Sequence, residues 1–170
     1  MSQNQSPFSP GQSLGTSPWL TVDQEMISGF GASTRDPDPM HVNPEWAQQY
    51  SPFGKTIAFG FLTMSLLTRF LYDVMGVEPD NEVDREALGS AHVMNYGFDR
   101  LRLVSPVPVG AKMRAVFSTK TCDVDEKGNE RVVIDTVVEI EGEAKPALVA
   151  DWVVVHVPAA VAASKAESIR

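Results

Sequence analysis

The run from Ile57 to Met75, "IAFGFLTMSLLTRFLYDVM", constrains the chain more than any other stretch. Apolar residues occupy most of its circumference at helical spacing, and Gly76 stands where a helix commonly ends in a left-handed glycine. A helix of this kind must be covered by apolar partners. A membrane span is the competing solution, but Arg69 and Asp73 interrupt the run before it reaches the roughly 20 apolar residues a bilayer requires. A soluble, buried helix is therefore expected.

Its cover has to come from the second half, where the period changes to two. "AKMRAVFST" sets Ala111, Met113, Ala115 and Phe117 against Lys112, Arg114 and Ser118; "RVVIDTVVEI" sets Val132, Ile134, Val138 and Ile140 against Arg131, Asp135 and Glu139. Turn signals at "SPVPVG", "DEKGN" and "EGEAKP" divide this half into four strands near 91–103, 111–123, 130–140 and 146–157. Short connections favour antiparallel pairing of successive strands, so the expected architecture is α+β: a strongly curved antiparallel sheet wrapped around one long helix. A further strand is expected near Ser17 to Thr21. Edge strands of such a sheet are commonly extended across a subunit boundary, which points to a homodimer.

Ahead of the long helix, Thr21 and Gln24 resemble a capping box, and Val22, Met26, Ile27 and Phe30 recur at helical spacing up to about Ala32. Asn43 as N-cap with Pro44 at the first helical position opens a second short helix through about Gln49. Between them, "STRDPDPMH" reads as a loop.

With 170 residues and 43% hydrophobic content the chain can bury one sizeable core. The expected division is a flexible N-terminal tail over 1–15, a single domain over 16–158 and a C-terminal tail over 159–170. A net charge of -8 without basic clusters argues against a nucleic-acid surface and against adsorption to anionic lipid. Cys122 is the single cysteine, so neither an internal disulfide nor a structural zinc site is expected. The N-terminus has neither the charged nor the apolar region of a signal peptide, and a cytoplasmic location is expected.

The chemistry-bearing residues concentrate in "STRDPDPMHVNPEW". Asp before proline is ordinary turn chemistry, and Asp36, Asp38 and His41 can serve simply as polar loop residues. The other reading is that Pro37 and Pro39 stiffen the segment, so that a carboxylate and an imidazole converge on one water; that pair suits the addition of water to an activated double bond, or its removal. Proton transfer next to a carbonyl also needs a group to bear the developing negative charge. The start of the long helix offers one, because its first N–H groups lack internal partners and Gly60 has no side chain to block approach. Close helix packing would equally explain that glycine.

"FGASTRDPDPMHVNPEWAQQYSPFGKTIAFGFLT", followed by "NYGFDRLRLVSPVPVGAKMRA", resembles the MaoC-like dehydratase family, in particular its NodN-like members. The resemblance covers about Val22 to Val157. It implies a hot-dog fold and a hydro-lyase that interconverts trans-2-enoyl thioesters and (3R)-3-hydroxyacyl thioesters. Asp36 and His41 match the family's catalytic Asp and His, and Gly60 matches the residue whose backbone N–H binds the thioester oxygen. Thr68 falls where some relatives carry a serine near the catalytic Asp, and Asn95 and Tyr96 of the "NYG" element are candidates to contact substrate. A threonine on a helix more often bonds its own backbone, and strand aromatics more often belong to the core.

No metal or redox cofactor is implied; coenzyme A or acyl carrier protein is the substrate's carrier. Lys55, Arg100, Arg102, Lys112 and Arg114 could receive that anionic carrier or form a solvated face. Three positions depart from the family pattern: Phe59 stands in place of His, Arg35 in place of Gly and Asp38 in place of Asn. A hot-dog thioesterase and a non-catalytic thioester-binding or assembly module are the competing readings.

Overall fold

The structure is a computed structural model that describes residues 6–76, 92–159 and 161. The expected start of the first long strand at residue 91 and most of the expected C-terminal tail lie outside the described residues. Strands β1 (Ser13–Thr16) and β2 (Leu20–Thr21) precede helices α1 (Gln24–Thr34), α2 (Pro39–Val42), α3 (Pro44–Tyr50) and α4 (Gly60–Met75). Strands β3 (His92–Leu103), β4 (Lys112–Val124), β5 (Glu130–Ile140) and β6 (Leu148–Val157) complete the order. They form one antiparallel sheet in the order β1-β4-β5-β6-β3, with β2 also pairing β4.

The period-two patterns produce the expected faces. Met113, Ala115 and Phe117 of β4 and Val132, Ile134, Val138 and Ile140 of β5 are buried in one core with Leu62, Leu67, Phe70 and Leu71 of α4. Gly76 caps α4 in the left-handed conformation, with φ 72°. Burial covers one side of α4 only. Phe61, Ser65, Thr68, Tyr72 and Met75 form an exposed stripe along the other side.

Pairing of successive strands fails for β3, which lies beside β6 at the far edge of the sheet. The "SPVPVG" segment is therefore no hairpin. Pro106 and Pro108 cannot donate to a ladder, and the segment instead pairs with the extended approach to α4: Ala58 N–H donates to Val107 O (2.8 Å) and Val109 N–H to Thr56 O (3.0 Å). This pairing holds Thr56 to Phe59 extended, so α4 begins at Gly60 and not at Ile57.

The N-terminal part differs in detail from expectation. The cap of α1 is Asp23, whose carboxylate accepts the Met26 N–H at 2.8 Å; Thr21 lies in β2, so there is no Thr21–Gln24 capping box. The expected strand near Ser17–Thr21 is split, because Pro18 cannot join the ladder, and pairing begins earlier, at Ser13. Residues 6–15, expected as tail, carry Phe8, which is buried against the His156 ring with centroids 5.4 Å apart. The predicted loop at Pro39–Val42 is a single helical turn, with Asp38 as N-cap and proline at its first position. Asn43 and Pro44 open α3 as expected, the Asn43 side chain accepting the Trp46 N–H at 2.9 Å.

Candidate functional site

The N-terminus of α4 meets α2 in a cavity of about 240 Å³ lined by His41, Ile57, Ala58, Gly60, Thr63, Leu103 and Val107, among others. His41 is half-buried there, and its Nδ1 lies 2.7 Å from the carbonyl oxygen of Ile57. A carbonyl can only accept, so Nδ1 carries the hydrogen and neutral His41 keeps its lone pair on Nε2. The extended approach to α4 that displaces the helix start is thus also what supplies the acceptor fixing the tautomer.

Gly60 is the first residue of α4, and the N-cap Phe59 makes no side-chain hydrogen bond to the helix. The first-turn amides therefore have no side-chain acceptor from the cap, and they add the positive end of a 16-residue helix dipole to the cavity. A Cβ on Gly60 would clash with the end of the Leu103 side chain, so glycine lets β3 approach the helix closely without displacing that side chain. His41 and Gly60, 19 residues apart in sequence, line one cavity.

Asp36 is placed differently. It is exposed and lines a neighbouring groove of about 340 Å³ with Ser28, Gly31, Ala32, Arg35, Pro37 and Val42. Its Oδ1 accepts the Asp38 N–H at 3.2 Å, and among the described residues no recorded hydrogen bond joins it to His41. Asp38 is occupied as the α2 cap, accepting the Met40 N–H at 2.9 Å. Arg35 adopts φ 58°, ψ 33° at the end of α1, keeping the left-handed backbone that a glycine would favour at this position.

Gly31 joins these parts. An added Cβ would meet Val42 Cγ1 at 2.9 Å, the Asp36 carbonyl oxygen at 3.0 Å and Phe59 Cζ at 3.1 Å. The Asp36 N–H also donates to Gly31 O at 3.0 Å.

Thr68 and Asn95 border a second cavity, of about 160 Å³, with Leu71, Tyr72, Met75, Trp152 and His156. Thr68 lies eight residues beyond Gly60, about 12 Å along the helix axis, so these residues do not share the His41 cavity. Asn95 accepts the Trp152 indole N–H at 2.9 Å, and Tyr96 is exposed on the edge strand. His156 is held by Glu130, with Nδ1 to Oε2 2.8 Å, in keeping with a structural role.

Sequence reasoning missed Gln24, whose side chain donates to the His41 carbonyl (2.9 Å) and accepts from Thr56 Oγ1 (2.5 Å), tying α1 to both sides of the cavity. Its only sequence signal was the capping-box pattern, which pointed elsewhere. Of the basic candidates, Lys112 pairs with Glu141, Arg114 with Glu139 and the Trp19 ring, and Arg100 approaches Asp151.

Comparison with known proteins gives a consistent result. The family model described as MaoC like domain matches residues 4–143. The chain is 40% identical over 145 residues to Nodulation protein N of Rhizobium meliloti, covering 85% of this chain and 84% of that protein. It is 37% identical over 147 residues to 3-hydroxyacyl-thioester dehydratase Z of Mycobacterium tuberculosis, covering 86% of this chain and 90% of that one. Its fold is similar to that of the (R)-hydratase from A. caviae, with a TM-score of 0.64 at 20% identity, covering 86% of this chain and 96% of that one. The curved sheet on its long helix is thus the hot-dog fold expected from the sequence.

Proposed function

The chain belongs to the MaoC-like domain family, and from that premise we propose that it is a hydro-lyase interconverting trans-2-enoyl thioesters and (3R)-3-hydroxyacyl thioesters. The observation that carries the reading is the shared cavity of His41 and Gly60, which brings an imidazole held at Nδ1 by the Ile57 carbonyl and an uncapped helix N-terminus to the same space. In the hydration direction, His41 Nε2 takes a proton from a water that the Asp36 carboxylate, turning in from the neighbouring groove, would help to hold, and the resulting oxygen nucleophile bonds to C3. The C2–C3 π pair moves to give an enolate whose oxygen accepts from the Gly60 N–H and faces the helix dipole; a proton then returns to C2. Dehydration is the reverse.

The thioester carrier, coenzyme A or acyl carrier protein, is anionic. Lys55 and Arg102 flank segments that line the cavity, and no ion pair is recorded for either among the described residues, whereas Arg100, Lys112 and Arg114 face acidic partners. A homodimer would cover the exposed stripe of α4, where Phe61 is 72% exposed, and β3, the end strand of the sheet among the described residues, where Tyr96 is 72% exposed. Sedimentation of the purified chain tests that pairing; a monomer at micromolar concentration would exclude it.

The reaction is tested with crotonyl-CoA. Loss of the conjugated enoyl-thioester absorbance without release of free thiol is expected. Thiol release from acyl-CoA would identify a thioesterase, and no turnover of any enoyl thioester across a chain-length panel would favour a binding module.

A further inference from the structure

Phe59 and His41 form the closest ring pair among the described residues, with centroids 3.9 Å apart and planes inclined by 33°. Aromatic pairs usually sit about 4.5–7 Å apart, so the phenyl face lies directly against the imidazole. The platform itself is fixed. Phe59 is 4% exposed, packs on Phe30 with centroids 5.3 Å apart, and reaches to within 3.1 Å of the position a Gly31 Cβ would occupy. Its backbone, in turn, is held by the Ala58–Val107 pairing next to it.

Two restraints therefore act on the His41 ring at once. The Ile57 carbonyl fixes which nitrogen carries hydrogen, but a single hydrogen bond leaves the ring free to tilt about it. The phenyl face removes that freedom. The same residue is the N-cap of α4 and, having no side-chain acceptor, leaves the first-turn amides to the cavity. A Ser or Asp at this position would cap those amides, and an aliphatic residue would offer no flat surface.

We propose that Phe59 is a positioning residue for the reaction: it fixes the plane of the His41 ring so that Nε2 is aimed into the cavity opposite Gly60. This rests on the hydro-lyase reading for its kinetic consequence, but its effect on the imidazole can be observed without turnover.

The test uses the full chain with Phe59→Met, which keeps apolar volume without a ring, and Phe59→His, which restores a flat ring. ¹⁵N NMR of the His41 ring at neutral pH reports the tautomer, and steady-state hydration of crotonyl-CoA separates kcat from KM. For wild type, well-separated ring nitrogen shifts with Nδ1 protonated are expected. Phe59→Met frees the ring to tilt off the Ile57 carbonyl, so it should draw those shifts together and lower kcat by about tenfold with KM within about twofold, since aim and not binding is lost. Phe59→His should recover most of both. Unaltered shifts and kcat in Phe59→Met overturn the proposal, as does a loss in Phe59→His equal to that in Phe59→Met. If wild type has no hydratase activity the functional reading fails, while the NMR comparison still decides the positioning role.

Discussion

Gly31→Ala tests whether the packing behind the site sets its geometry. Gly31 lies inside α1, where alanine is favoured over glycine by about 1 kcal/mol. Against this stands a Cβ at 2.9 Å from Val42, 3.0 Å from the Asp36 carbonyl and 3.1 Å from Phe59. None of these is the loose end of a flexible chain: the carbonyl is backbone, Val42 is branched at Cβ, and Phe59 is buried. Overpacking of this kind costs about 1–3 kcal/mol, so the net change is a loss of up to about 2 kcal/mol. The functional effect should be larger, because relief of the clash moves the Asp36 loop and the Phe59 ring together, and a shift near 1 Å at a reacting group costs about 100-fold.

Gly29→Ala is the internal control. It lies in the same helix with nothing within 4 Å of its added Cβ, so a gain of about 0.5–1 kcal/mol and unchanged turnover are expected. Urea denaturation and crotonyl-CoA hydration measure both variants. Gly31→Ala with the stability gain and full activity of Gly29→Ala would refute the reasoning.

Three further outcomes follow from individual contacts. Gly60→Ala should fold, since Leu103 is half-exposed and can swing away, but hydration should fall at least about tenfold as the methyl narrows access to the helix start. Arg35→Gly should raise stability by up to about 1 kcal/mol by relieving a left-handed non-glycine residue, which urea midpoints would register. The Asn129 side chain and then its backbone N–H, bonded to Asp125, hold that carboxyl below its ordinary value of 3.8. A depressed carboxylate contributes stability above its unfolded value and loses it as pH falls through the folded one. The difference in urea midpoint between wild type and Asp125→Ala should therefore shrink from pH 6 to pH 3.

Local chemistry made most of the elements legible. Period two over β4 and β5, the Asn43–Pro44 start of α3 and Gly76 after α4 are all signals carried by a few adjacent residues, and each describes what forms. What escaped depends on partners distant in sequence. β3 pairs with β6 rather than with its neighbour in sequence, and Thr56–Phe59 is extended because 107–109 docks beside the helix approach; no local pattern encodes either contact. Phe8 reads as one apolar residue in a polar tail until His156 is seen beneath it.

The site divides the same way. His41 and Gly60 were readable from motif spacing, and the structure places them in one cavity. The Ile57 carbonyl that sets the imidazole tautomer, the Phe59 face on that ring and the Gln24 link were not, because each is a contact between segments. In the sequence Phe59 is only a departure from the family's His; in space its ring lies against that of His41.

The most direct test of the account is the hydration of crotonyl-CoA by wild type, Asp36→Asn and His41→Ala. Each substitution is expected to abolish turnover while circular dichroism and sedimentation match wild type, since Asp36 is exposed and His41 only half-buried. Wild-type turnover retained in both variants would contradict the account.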